Sequence, residues 1–296
     1  MDAELRFVKM QGVGNDFVLI DARVAPAADW PALAVELCRR RFSVGADGLL
    51  VVDRSEVADA MMRMYNPDGS PDVCGNGMRC VARWLTESCG YTAPALALET
   101  FNGVHQITVE PDAAGRSAGF TVNMGPPALH PNAIPMVAPG DTVCDFPLEL
   151  ADAPNGFSRL PVTCVSTGST HAVTFAPLPG SDLEFERIAS CVEHHHRFPE
   201  RTSLMWARQA EDGALAIRIW ERGAGETLGC GTGACATAVA AVMHGTAQRD
   251  SPVRVRSAGG ELVVTWQSDG DILMSGPAEI VYSGSWAGDS TAEVMA

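Results

Sequence analysis

Lysine is almost missing from this sequence. Lys9 is the only one, and every other permanently cationic side chain is arginine. Enzymes that use pyridoxal phosphate carry it as a Schiff base on lysine. Unless Lys9 fills that role so near the N-terminus, the sequence excludes such chemistry. Paired cysteines are missing too: none of the nine forms a C-x-x-C, which speaks against a structural zinc site. An odd cysteine number also argues against a secreted disulfide framework, and Cys38, Cys89, Cys144, Cys164 and Cys191 read as small apolar residues set singly. No apolar stretch approaches the roughly 20 residues of a membrane span. The opening "MDAELRFVKM" lacks the apolar core of a signal peptide. Positive charge is scarce: the net charge is −15, which disfavours nucleic-acid and anionic-membrane partners but not a small substrate held in a cleft. A soluble cytoplasmic protein is the expectation. The tandem His194, His195 and His196 read as a solvated helix end rather than a metal site, because metal ligands usually share one face.

What is present is a globular composition, 46% hydrophobic over 296 residues, enough for one large or two medium cores. It also contains one pattern twice. "LGCGTGACATAVAAV" (228–242) sets Cys230 among glycines at the head of an alanine-rich helical run, and "VCGNGMRCVARWL" (73–85) does the same with Cys74. The two cysteines are 156 positions apart, with Asn66 and Arg222 eight residues before them and Gly69 and Gly225 five before. "GNDF" (14–17) falls opposite "GSTH" (168–171) at nearly the same offset. Two long copies imply duplicated domains facing each other rather than a solenoid. The boundaries expected are 1–122 plus about 277–296 for the Cys74 domain and 123–276 for the Cys230 domain, with the turn-rich "NMGPPALHPNAIP" as the crossing.

Short runs such as "FVLIDAR", "LLVVDR", "LAIRIWE" and "ELVVTW" read as strands, nine in all. Helices are fewer, at 30–42, 75–90, 182–195 and after Cys230. "SGPAEIVYSG" reads as a last strand returning to the first domain, and 285–296 as a frayed tail.

A helix start offers unpaired N–H groups and the positive end of a dipole, which can hold a carboxylate and lower a thiol's pKa. Two such starts, each with a cysteine, suit an α-amino acid whose Cα lies between the sulfurs. A thiolate on one face removes the α-proton and a thiol on the other returns one, inverting the centre while N–H groups stabilise the developing negative charge. Cys80 and Cys235, further into the same helices, fit plain packing. Two other classes remain open: a cysteine-nucleophile hydrolase with His171 as base, which leaves one motif idle, and a non-catalytic anion-binding module.

"GNDF", "GADG", "YNPDGS…CGNGMRC" and "ERGAGETLGCGTGACA", in this order, resemble the diaminopimelate epimerase family over almost the whole chain. The resemblance implies an α+β fold of two pseudo-symmetric domains. Each would be a curved mixed sheet or barrel around a central helix, with the active site in the interdomain cleft. It implies no cofactor, no metal, an amino-acid substrate and a homodimer. By motif, Cys74 and Cys230 are the acid/base thiols, and Gly75, Asn76, Gly231 and Thr232 bind the reacting carboxylate. His171 and Glu221 match residues that adjust the thiol pKa values, and Asn15, Asn66, Glu221 and Arg222 match substrate-holding residues. The reaction implied is epimerisation of LL- to meso-diaminopimelate, in lysine and cell-wall precursor biosynthesis. Two positions depart: Ser169 stands where the family reads asparagine in G-N-P-H, and Ser203 where it reads asparagine in T-N-V. Serine is shorter and lacks the amide's paired donor and acceptor, so a different polar or basic amino acid is the alternative substrate.

Overall fold

The helix at Gly231–Met243 has no polar face. Ten of its residues, from Gly231 to Ala241, are buried. A helix apolar on all sides has to be enclosed, and a strand-rich chain can enclose it. The computed structural model describes residues 4–111, 117–151, 153–154 and 156–288.

In chain order the first elements are β1 (Leu5–Gly12), β2 (Asn15–Asp21), α1 (Trp30–Leu37), β3 (Gly48–Asp53), β4 (Ala60–Tyr65) and β5 (Pro71–Asp72). Next come α2 (Gly75–Ser88), β6 (Ala95–Thr100), β7 (Gly103–Pro111), β8 (Ser117–Asn123), β9 (Val143–Glu149), β10 (Arg159–Ser166) and β11 (Thr170–Thr174). Then follow α3 (Asp182–Glu193), β12 (Ser203–Gln209), β13 (Leu215–Glu221), β14 (Gly225–Thr227) and α4 (Gly231–Met243). The chain closes with β15 (Val253–Ser257), β16 (Gly260–Trp266), β17 (Ile272–Gly276) and β18 (Glu279–Trp286).

The chain divides into two compact units. Residues up to Val122, with those from Gly276 on, form the first, and Asn123–Ser275 the second. In the first, the strand order is β18–β1–β2–β3–β4–β6–β7–β8, antiparallel except at β2/β3 and β4/β6. Parallel neighbours need a crossover, and here α1 and α2 supply the two. In the second unit the order is β9–β10–β11–β12–β13–β15–β16–β17, parallel only at β11/β12 and β13/β15, which α3 and α4 join. The schemes match step for step with one exchange. The strand beside β1 is β18, from the far end of the chain, whereas the strand beside β10 is β9, which precedes it.

Within each unit one helix is central and one lies outside. Strands β1, β2, β3, β4, β7 and β18 all contact α2, and β10 to β13, β15 and β16 contact α4. The outer helix α1 packs Leu33, Ala34 and Leu37 against Val18, Ile20, Leu49 and Val51. Helix α3 packs Phe185, Ile188 and Val192 into a cluster with Leu204 and Trp206. Strands β2 and β3 are therefore covered on both faces, which explains their unbroken runs such as "GLLVV".

The expected helix over 30–42 stops at Leu37. Arg41 turns into the left-handed region (φ 72°), and Arg40 leaves the helix to pair with Asp16 and Asp47. His194 follows α3 as its C-cap, with its Nδ1 on the Ser190 carbonyl, and the rings of His195 and His196 stack 4.3 Å apart. Residues 289–296 of the expected tail lie outside the described residues, while Ser285 and Trp286 still belong to β18. Among the described residues no helix is long and apolar enough to cross a membrane.

Candidate functional site

Each central helix starts immediately after one of the paired cysteines. Cys74 and Cys230 are N-caps, both with extended backbone (φ −132° and −135°). At the second glycine of each C-G-x-G, packing leaves little room for a side chain. A Cβ on Gly77 would come 2.9 Å from Leu50 Cδ2, and one on Gly233 would come 2.5 Å from Met205 Sδ. Leu50 and Met205 sit on β3 and β12, the corresponding strands of the two units. The sheet can close under the helix start only where the side chain is absent.

In the first unit the sulfur of Cys74 donates to Asn15 Oδ1 at 3.6 Å. The Asn15 amide has a fixed orientation because its Nδ2 donates to Asp47 Oδ2 at 2.8 Å. Asn76, almost fully buried, adds a second donor to the same Oδ1 at 3.3 Å and is itself held by Arg79 Nη2 at 2.6 Å. Behind Asp47 runs an ion chain: Arg40 bridges Asp47 (2.7 Å) and Asp16 (2.5 Å), and Lys9 pairs with Asp16 (2.5 Å). Lys9 is buried in this chain, so its ammonium serves structure. Asn66 bonds instead to Ser70 and Asp72 in its own turn.

In the second unit Cys230 Sγ accepts from the Gly233 N–H at 3.4 Å and lies 3.4 Å from Thr232 Oγ1. That hydroxyl meets His171 Nε2 at 3.2 Å, and Ser169 Oγ approaches the same nitrogen at 3.4 Å. His171 is fully buried and its Nδ1 has no hydrogen-bond partner among the described residues. Thr167 fixes the turn by donating to the Thr232 carbonyl at 2.8 Å. Ser203 Oγ accepts the Arg222 backbone N–H at 3.0 Å, and the Arg222 guanidinium rests on the Glu200 carbonyl at 3.0 Å. Thr227 donates to Glu221 at 2.5 Å.

The structure thus joins Asn15, Asn76 and Cys74 in one hydrogen-bonded group and Ser169, His171, Thr232 and Cys230 in another. Asp47 and Arg79 were missed by the sequence reading. "GADG" contains Asp47, but nothing in that motif shows that it faces Asn15.

The expected lowering of the thiol pKa values loses to burial. Cys74 is pushed up to about 11 by loss of solvent, opposed by the N–H groups of Gly77 and Asn76. Cys230 rises well above its ordinary value, from burial first and from the Glu221 carboxylate second, against the pull of Thr232 and Gly233. Burial brings His171 down to about 4, so it is neutral at pH 7. Both sulfurs therefore rest as thiols.

The family model described as diaminopimelate epimerase matches residues 7–130 and 163–281. The chain is 42% identical over 288 residues to a diaminopimelate epimerase of Moorella thermoacetica, covering 95% of this chain and 99% of that one. It is 40% identical over 286 residues to the Synechococcus elongatus protein of that name, covering 95% and 98%. Among solved structures, a hydroxyproline epimerase from Agrobacterium vitis with bound trans-4-hydroxy-L-proline aligns with TM-score 0.68 at 15% identity, covering 95% and 92%. A PhzF-family phenazine biosynthesis protein from Bacillus anthracis aligns with TM-score 0.68 at 17% identity, covering 96% and 99%. These two show a shared fold. With the family model matched across both units and relatives at this identity over nearly the full length, the chain belongs to the diaminopimelate epimerase family.

Proposed function

We propose that this chain interconverts LL- and meso-diaminopimelate without a cofactor, through Cys74 and Cys230 as paired acid and base. One observation carries the reading: two helix starts of the same construction each place a thiol beside the backbone N–H groups of a helix N-terminus. In the forward half, the thiolate of one cysteine takes the α-proton. The carbanion is stabilised by donors on the adjoining carboxylate, and the other thiol delivers its proton to the opposite face. The sulfurs end with their protonation exchanged, ready for the reverse direction. Gly75, Asn76, Gly231 and Thr232 serve as the donors, in keeping with their places at the two N-termini.

Because both sulfurs favour the thiol form, one of them must release its proton to solvent as the substrate enters. Its α-ammonium supplies a cation near sulfur, which favours the thiolate. Asn15 accepts from the Cys74 thiol, and Thr232 links Cys230 to neutral His171. Glu221 raises Cys230 and so keeps it the proton donor at rest. Arg222, exposed beyond its bond to Glu200, is assigned the distal carboxylate, a charge-assisted contact. Asn15 and Asn66 complete the polar contacts to substrate. Ser169 and Ser203 favour a second reading, the same chemistry on another polar amino acid, since the Ser203 hydroxyl already accepts from Arg222.

The test is solvent-deuterium incorporation at Cα over a panel of amino acids that includes LL-diaminopimelate. Turnover of diaminopimelate is expected, nearly abolished by Cys74→Ser or by Cys230→Ser. Inertness toward diaminopimelate with turnover of another amino acid would establish the second reading, and full activity in either cysteine variant would overturn the two-thiol mechanism. The need for free thiols supports a reducing, cytoplasmic setting. A homodimer is inferred as well, and sedimentation at working concentration tests it.

A further inference from the structure

We propose that Cys144, Asp145 and His244 form a binding site for a divalent transition metal of the zinc class, at the opposite end of α4 from Cys230. The thiol sulfur, a carboxylate oxygen and a ring nitrogen of these residues all lie within 4.8 Å of one another. Cys144 and Asp145 are neighbours on β9. On a regular strand they would point to opposite faces and could not meet one ion.

The strand is not regular there. Val162 pairs with Phe146 and Cys164 with Val143, so Cys144 and Asp145 together oppose the single residue Thr163. This is a β-bulge, a device that re-aims side chains. Asp145 completes it in the left-handed region, with φ 49°, where aspartate is one of the few tolerated non-glycine residues. His244 arrives from another element as the C-cap of α4. Cys230 heads the same helix, so the two sites are separated by its 13 residues, about 20 Å at 1.5 Å per residue.

Thr163 organises the three groups. Its buried hydroxyl accepts the Asp145 N–H at 3.2 Å, points toward Cys144 Sγ at 3.8 Å and meets His244 Nε2 at 2.7 Å. With its proton directed at sulfur, the hydroxyl accepts from Nε2–H. His244 then turns the lone pair of Nδ1 toward Asp145 Oδ2, 3.5 Å away. Two electron pairs facing each other at that separation call for a cation. A tetrahedral zinc with ordinary bond lengths sets its nitrogen, oxygen and sulfur ligands about 3.3–3.6 Å apart; the Nδ1–Oδ2 separation of 3.5 Å falls in that range, and the sulfur, within 4.8 Å of both, needs only a small side-chain adjustment.

A partner on the second ring nitrogen is the usual support of a metal-bound histidine. The negative end of α4 adds to the attraction. Binding expels the Cys144 proton, and thiolate plus carboxylate balance the two positive charges. Cys144 and Asp145 are exposed, so the ion has an open path.

The full-length chain, stripped of metal, is titrated with Co2+ and followed by the near-ultraviolet absorption of a cobalt–thiolate bond. A Cys74→Ser/Cys230→Ser background removes the catalytic thiols from competition. One equivalent is expected to give the band. Cys144→Ala should abolish it, His244→Gln should weaken binding at least tenfold, and Thr163→Val should weaken it about tenfold. A second readout uses Zn2+ on the unmodified chain: it should slow alkylation of Cys144 and leave exposed Cys89 unchanged. Absence of the band, its persistence in Cys144→Ala, or equal alkylation of Cys144 with and without Zn2+ would each overturn the site.

Discussion

Gly233→Ala tests whether the second glycine of the motif exists for packing. The added Cβ would lie 2.5 Å from Sδ and 2.6 Å from Cε of Met205, and 3.3 Å from Cys230 Sγ. Ordinary carbon contacts are about 3.5–4.0 Å, so Met205 has to retreat by about 1 Å. It is fully buried, so the retreat has to displace close-packed neighbours. Overpacking of this kind costs about 1–3 kcal/mol, and alanine's better helix propensity returns about 1 kcal/mol. The net loss should be about 0–2 kcal/mol, a fall of at most roughly 8 °C in melting temperature for a unit of this size. The decisive measurement is a double-mutant cycle by calorimetry. Met205→Ala alone should be destabilising, by about 2–5 kcal/mol. On that background Gly233→Ala should cost nothing or stabilise, because the clash is gone and the helix gain remains. Equal destabilisation in both backgrounds would refute the packing argument and return the glycine to a ligand-binding role. Deuterium exchange should fall further than stability does, since the new methyl also presses on the Cys230 sulfur.

The pH response of stability should expose His171. Its folded pKa is about 4 against 6.5 unfolded, so the unfolded chain takes up the proton first. Stability from its neutral burial is full above pH 6.5 and declines toward pH 4, by roughly 3 kcal/mol at the lower end. Denaturation of His171→Gln across that window should show a shallower slope, and parallel curves would contradict the assignment. Alkylation of Cys74 by a neutral reagent, followed by mass spectrometry, should accelerate about tenfold per pH unit through pH 9, since its pKa is near 11. A plateau below pH 8 would show that the helix start outweighs burial after all. Asp47→Ala should free the Asn15 amide to turn its NH2 toward sulfur, raising Cys74 alkylation at pH 7 several-fold while slowing α-proton exchange. Unchanged alkylation would mean that Asp47 does not orient Asn15.

The doubling of the chain was readable because it is carried by local signals: cysteine before glycine, alanine-rich helix, and turn residues at a repeated offset. The nine strand runs named from sequence all fall on strands, since each has apolar or β-branched residues bounded by turn-formers. Others were passed over. β12 begins at buried Ser203 and β17 is only "ILMSG", so neither offers a clear alternation. The helix after Trp30 was read too long because "CRRRF" has helical propensity, which the pairing of Arg40 with Asp16 and Asp47 overrides.

At the site, residue identities came from the sequence and their states did not. Cys74 and Cys230 announce themselves as N-caps, but a motif carries no information on desolvation, and burial by distant strands reverses the expected pKa shift. Likewise Gly233 looks like an anion-binding glycine until Met205 is found beneath it. Cys144 and His244, 100 positions apart, become neighbours only through a bulge opposite Thr163. The sequence by itself determined the repeated units and the helix starts headed by Cys74 and Cys230. Only the tertiary structure decided how much water each group keeps and which partner it faces, because those depend on contacts between segments that are far apart in the chain.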